Sequence, residues 1–136
     1  MRIIGIDYGD SRIGIAVSDP LGITAQGVGT IKNKGEEKTL LELSKVLSEY
    51  HPEKIVIGLP KNMDGSLGFR AEATYAFAES LKTVYSGEIV FWDERLTTVG
   101  ASRYLNETNT VKGARKAVID TLSACLILEG YMQKNG

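Results

Sequence analysis

The sequence predicts an α/β fold: a five-stranded mixed sheet, its first three strands antiparallel, with helices on both faces. Three observations lead there. Three β-type runs open the chain with little more than turn residues between them, as antiparallel neighbours require. Beyond residue 35, helical stretches alternate with short apolar runs. The 136 residues, 43% of them hydrophobic, suffice for one core and are short for two, so a single domain is expected over 1–136.

The elements follow in order. Residues 2–8 form an apolar run ending in Asp7-Tyr8, and Gly9-Asp10-Ser11 is a turn signal. Arg12 to Ser18 is the second strand, Asp19-Pro20-Leu21-Gly22 the next turn, and 23–31 the third strand. Leu40, Leu41, Leu43, Val46, Leu47 and Tyr50 have helical spacing, and His51-Pro52 ends that helix. Lys54 to Gly58 is a fourth strand, 59–68 a polar loop, Phe69 to Tyr85 a second helix and Glu88 to Trp92 a fifth strand. Thr97 or Thr98 can cap a short helix reaching Leu105, residues 106–113 are expected to be mobile, and Ala114 to Met132 is a long apolar helix. The helical crossovers between strands call for parallel pairing in the second half of the sheet.

Composition narrows the function. A net charge of −1 argues against a sequence-blind coat for nucleic acid but allows a local basic patch beside an acidic centre. No apolar stretch is long enough to span a membrane, and Asp7 interrupts the N-terminal run too early for a signal peptide. Cys125 is the only cysteine and sits in an apolar helix, which suits a core residue of a cytoplasmic protein. His51 is the only histidine and is expected at the surface, so Ser-His-Asp and Cys-His schemes have little support.

Three carboxylates stand in apolar or tightly turned contexts. Asp7 lies at the carboxyl end of a strand expected to be central, where α/β sheets build sites, with Gly5 and Gly9 leaving room beside it. It can also be read as a turn aspartate. Glu94 follows the fifth strand in Asp93-Glu94-Arg95, which alone would pass for a solvated charge cluster. Asp120 interrupts Val118-Ile119 and Leu122, and it too has a structural reading as a buried, hydrogen-bonded aspartate. Together, three converging carboxylates cannot all stay ionised without a cation. Oxygen ligands suit Mg²⁺ or Mn²⁺, and the lack of Cys and His ligands argues against zinc.

Cations flank these acids. Lys61 and Arg70 bracket the loop Asn62-Met63-Asp64-Gly65-Ser66-Leu67-Gly68, which reads either as an irregular surface loop or as a flexible polar arm touching phosphates. Thr97 and Thr98 can cap a helix or bind phosphate oxygens. Lys116 is four residues before Asp120, giving either an exposed salt bridge or part of a basic rim.

Residues 5–14 (Gly-Ile-Asp-Tyr-Gly-Asp-Ser-Arg-Ile-Gly), 58–65 (Gly-Leu-Pro-Lys-Asn-Met-Asp-Gly), 93–98 (Asp-Glu-Arg-Leu-Thr-Thr) and 116–120 (Lys-Ala-Val-Ile-Asp) resemble the YqgF family, and the resemblance covers nearly the whole chain. That family is described as Holliday junction resolvases and as the nuclease that matures the 5′ end of pre-16S ribosomal RNA. The resemblance implies an RNase H-like fold with catalytic, metal-holding acids at Asp7, Glu94 and Asp120. It implies a nucleic-acid partner, either precursor rRNA (favoured) or branched DNA, for a monomer or weak homodimer. Arg12, Lys61, Asn62 and Arg70 are expected to contact nucleic acid, as are Arg95, Thr97, Thr98 and Lys116. Gly100 stands where the family often has an acid, and Ser123 where it often has alanine. Gly5 to Gly9 also resembles the first phosphate motif of sugar kinases and actin-like ATPases, and a catalytically silent binding module is a third class.

Overall fold

In the computed structural model, which describes residues 2–62, 64–96 and 113–135, five strands form one sheet. They are β1 (Ile3–Tyr8), β2 (Arg12–Ser18), β3 (Ala25–Lys32), β4 (Lys54–Leu59) and β5 (Glu88–Asp93), in the order β3-β2-β1-β4-β5. β1 is central, as the sequence predicts. It pairs antiparallel with β2, which pairs antiparallel with β3, while β1–β4 and β4–β5 are parallel.

Side-chain alternation along these strands builds two cores. Ile4 and Ile6 of β1, Ile13 and Ile15 of β2, and Ile55 and Ile57 of β4 face one side. They meet Leu43 and Leu47 of α1 (Glu36–Tyr50) and Phe77, Ala78 and Leu81 of α2 (Phe69–Leu81). Ile3, Ala16, Val56 and Trp92 face the other side, against Ala124, Ile127, Leu128 and Met132 of α3 (Gly113–Asn135). Burying each large aliphatic side chain contributes about 1.5–3 kcal/mol, so the isoleucine repeat is what sets which face each strand residue takes.

The faces differ in side-chain size. Under α1 and α2 the strands carry isoleucine, whereas under α3 they carry Gly5, Gly14, Gly27 and Gly58. A methyl on Gly5 would stand 2.8 Å from Leu128 Cβ, and one on Gly27 would stand 2.6 Å from Thr121 Cγ2. The missing side chains let α3 lie directly on the strands. Ser123 and Ala124, the small pair in that helix, are both buried there.

Some boundaries move. α2 stops at Leu81 rather than Tyr85: Thr83, Val84 and Tyr85 make a turn in which the Val84 and Tyr85 amides both donate to the Leu81 carbonyl. The Tyr85 hydroxyl donates to the Pro52 carbonyl at 3.1 Å, tying the turn to the start of β4. β4 and β5 each run one residue further than expected, to the pair Leu59 and Asp93. His51 is exposed, as expected, and closes α1 in a left-handed conformation (φ 48°). The short helix expected from Thr97 to Leu105 and the segment 106–113 expected to be mobile lie outside the described residues, save Gly113, which opens α3. Among the described residues no helix is long and apolar enough to cross a membrane.

Candidate active site

The alternation that builds the cores also aims the acids. Ile4 and Ile6 face α1 and α2, so Asp7 shares the α3 face with Ile3 and Gly5. Asp7 pairs with Gly14 on β2. On its other side, Ile6 pairs with Ile57, and one residue further along the parallel pair stand Asp7 and Gly58. Asp7 is therefore flanked by two glycines on the sheet face it occupies, and it is 3% exposed.

Each glycine leads to one of the other acids. Glu94 opens a short 3₁₀ turn (Glu94–Leu96) directly after β5, and a methyl on Gly58 would stand 2.8 Å from its Oε1. Glu94 is 4% exposed. Asp120 lies on α3 above Gly14, whose added methyl would overlap the Asp120 carbonyl. The bare surfaces of Gly14 and Gly58 thus set Asp120 and Glu94 down on either side of Asp7.

The carboxylates differ in environment. Burial pushes the Glu94 carboxyl up to about 7, with Asp93 adding to the rise and the Arg70 charge opposing it. Asp120 is partly exposed and accepts a hydrogen bond from Arg12 Nε at 2.9 Å. The sequence points to Lys116 as the neighbour of Asp120; the Lys116 side chain lies outside the described residues, and the ion pair seen at Asp120 is with Arg12. Among the described residues no group of three or more His, Cys, Asp or Glu stands close enough to hold a metal ion. The donor set still suits a hard divalent cation: Asp7 and Glu94 are buried carboxylates, and such an ion takes oxygen ligands.

The remaining expected contacts form a rim organised by Asp93. Arg95 Nε donates to both Asp93 carboxylate oxygens at 3.1 Å and Nη2 donates to Oδ2 at 2.7 Å. Lys61 Nζ lies 3.9 Å from the same Oδ2. The Arg95 hydrogen bonds hold the Asp93 carboxyl below the usual carboxylate range. Sequence reasoning assigns Asp93 no role, although an acid two residues from an arginine at a strand end is a signal for one. The loop that reads as an irregular surface loop or a flexible arm forms a closed turn among its described residues. Asp64 Oδ1 accepts from the Ser66 amide and hydroxyl, Asn62 Nδ2 donates to Ser66 Oγ, and Lys61 bridges Leu67. Gly65, at φ 89°, lets this turn rest against the Arg95 guanidinium. Asn62 and Arg70 are exposed, while Thr97 and Thr98 lie outside the described residues.

The chain is similar over nearly its whole length to named proteins. A relative from Ruminiclostridium cellulolyticum named "Putative pre-16S rRNA nuclease" is 50% identical over 135 residues, 98% of this chain and 95% of that one. Relatives of the same name from Clostridium kluyveri (46% identical, 98% of each chain) and Clostridium acetobutylicum (47% identical, 97% of this chain and 98% of that one) match as well. Among solved structures, T. thermophilus RuvC in complex with Holliday junction substrate superposes with a TM-score of 0.62, covering 98% of this chain and 96% of that one. The Fowlpox virus resolvase in complex with substrate Holliday junction DNA superposes at 0.56, covering 98% of each chain. At 14% and 12% identity these two show the fold, which is the RNase H-like one implied by the resemblance. Residues 1–134 match the family described as "RuvX: Holliday junction resolvase", and the chain belongs to that family of nucleases.

Proposed function

We propose that this chain hydrolyses a phosphodiester bond of precursor 16S rRNA in a metal-dependent reaction, with Asp7, Glu94 and Asp120 as its acids. The observation that carries this reading is the pair of buried carboxylates, Asp7 at the end of β1 and Glu94 just after β5, on either side of Gly58 in the intervening β4. A carboxylate buried this deeply is expensive as a structural ornament and useful as a ligand.

Mg²⁺ or Mn²⁺, held by Asp7 and Glu94 and completed by Asp120, would supply an acidified water and positive charge against the phosphate. Asp7 contributes a rigid oxygen, because its strand is hydrogen-bonded on both sides. Burial raises the Glu94 carboxyl to about 7, so a bound cation would draw it to the ionised form. Lys61, Arg70 and Arg95 orient the sugar–phosphate backbone from the rim. His51 lies at the far end of α1, and burial raises the Cys125 thiol, so direct hydrolysis suits the site better than a covalent intermediate.

The rRNA substrate rests on the name carried by relatives at 46–50% identity. On this proposal the work is done in the cytoplasm, by a monomer or weak homodimer acting as one domain. The family description supports a second reading, branched DNA. The match over residues 1–134 favours nuclease over kinase chemistry for the chain, and the two buried acids disfavour a silent binding module. Single-turnover cleavage of a precursor 16S 5′ leader and of a four-way DNA junction, each with Mg²⁺, separates the readings. Cleavage of the leader at the higher rate supports rRNA processing, cleavage of the junction alone moves the substrate to DNA, and cleavage of neither removes the proposal.

A further inference from the structure

We propose that Arg12 is an exchangeable counter-ion: it holds the Asp120 carboxylate while no nucleic acid is bound and passes to a backbone phosphate when substrate arrives, freeing Asp120 for the metal. Binding of the divalent ion and of nucleic acid then reinforce each other. The inference rests on the metal-dependent reading above and names a positioning residue within it.

The backbone of Asp120 is already in place. Its carbonyl rests on Gly14, the β2 partner of Asp7, so α3 already approaches β1 at this point. The carboxylate is held by Arg12, two residues before Gly14 on the same strand, through one hydrogen bond from Nε to Oδ2 of 2.9 Å. An Asp120 carboxylate turned to Arg12 accounts for the absence of a three-acid group among the described residues, where Asp7 and Glu94 are both buried. A carboxylate cannot serve a guanidinium and a nearby dication at full strength, because the two cations repel.

The exchange is easy on the protein side. Arg12 and Asp120 side chains are 25% and 21% exposed, so the part-buried pair still reaches solvent, and a single hydrogen bond joins it. Arg95 differs, since three side-chain hydrogen bonds tie it to Asp93. The guanidinium leaving Asp120 needs another anion, and a phosphodiester offers two oxygens that match its planar fork. Coupling of this kind is reciprocal: whatever factor nucleic acid adds to metal affinity, metal adds to nucleic-acid affinity.

The test is a Mg²⁺ titration followed by NMR at the Gly14 and Gly58 amides, with and without a short phosphorothioate RNA that resists hydrolysis. In the wild type, RNA should tighten Mg²⁺ binding about tenfold, within the usual range of coupling between sites. Arg12→Gln without RNA should bind Mg²⁺ about tenfold more tightly than the wild type, and RNA should then add little. Adding Asp120→Asn to Arg12→Gln should erase that gain, which locates it at Asp120 rather than in the removal of a positive charge. If Arg12→Gln does not fold, the Arg12 Nε–H resonance of the wild type decides: it should shift when RNA and Mg²⁺ are both present. Mg²⁺ affinity in folded Arg12→Gln no higher than in wild type, or an Arg12 resonance that ignores RNA and Mg²⁺, overturns the exchange. A wild type that binds no Mg²⁺ with or without RNA overturns the metal-dependent reading itself.

Discussion

The carbonyl of Asp120 rests on the bare Cα of Gly14, leaving no room for a methyl group between helix and strand. Because Gly14 also pairs with Asp7, this one contact fixes two of the three acids relative to each other. Gly14→Ala must push α3 away from the sheet. Overpacking of this kind costs about 1–3 kcal/mol, so the urea midpoint should fall with little change in slope. Metal affinity should fall with it. Wild-type stability in this variant would mean that α3 is free to shift and the contact is incidental.

Glu94 predicts a pH signature. Its carboxyl titrates near 7 in the fold, against an ordinary value of 4.5. Between those values the folded chain binds more protons than the unfolded one, so stability falls as pH rises through the window and the loss is complete above it. Glu94→Gln removes the effect. Its unfolding free energy should exceed that of the wild type at pH 8 by roughly a few kcal/mol, at about 1.4 kcal/mol per pKa unit, and match it near pH 4. A difference independent of pH would contradict the burial account. Metal must displace the same proton, so Mg²⁺ affinity should weaken below pH 7.

Arg70 opposes that rise, so Arg70→Gln should move the Glu94 titration further upward, visible by carboxyl NMR. The same substitution should lower the salt dependence of RNA binding by about 0.7 for each phosphate that Arg70 neutralises, the usual value for a single strand. An unchanged Glu94 titration and an unchanged salt slope together would place Arg70 outside the site.

Asp93 holds Arg95 and approaches Lys61, so Asp93→Asn loosens two rim cations while making the rim one charge more positive. RNA affinity should hold or rise. The single-turnover rate should fall about tenfold, because misplaced groups cost rate more than binding. Weakened binding with an unchanged rate would show that Asp93 orders nothing that matters to the reaction.

Much of this was legible in the chain. The isoleucine alternation of β1, β2 and β4 and the short turns between β1, β2 and β3 are local signals, and they point to the central strand and its antiparallel neighbours. Asp7 and Glu94 were legible as charges at strand ends. What the sequence hid depends on distant packing. Helical spacing suggested Lys116 for Asp120, while the ion pair seen there comes from Arg12, 108 residues away and invisible to any local period. Gly14 and Gly58 were readable as glycines in strands, but which acid each would support depends on where α3 and the turn after β5 settle. The early end of α2 reflects Tyr85 reaching Pro52, again a contact across the chain.

The central claim is that charge on Asp7, set between Gly14 and Gly58, makes metal-dependent hydrolysis possible. Asp7→Asn keeps the shape and removes the charge. The most direct measurement is single-turnover cleavage of a precursor 16S 5′ leader by wild type and Asp7→Asn, each with Mg²⁺ and with excess chelator. The account predicts cleavage only by wild type with Mg²⁺, and RNA binding by Asp7→Asn as tight as wild type or tighter, since one negative charge facing the phosphates is gone. Wild-type cleavage by Asp7→Asn, or equal cleavage in chelator, would contradict it.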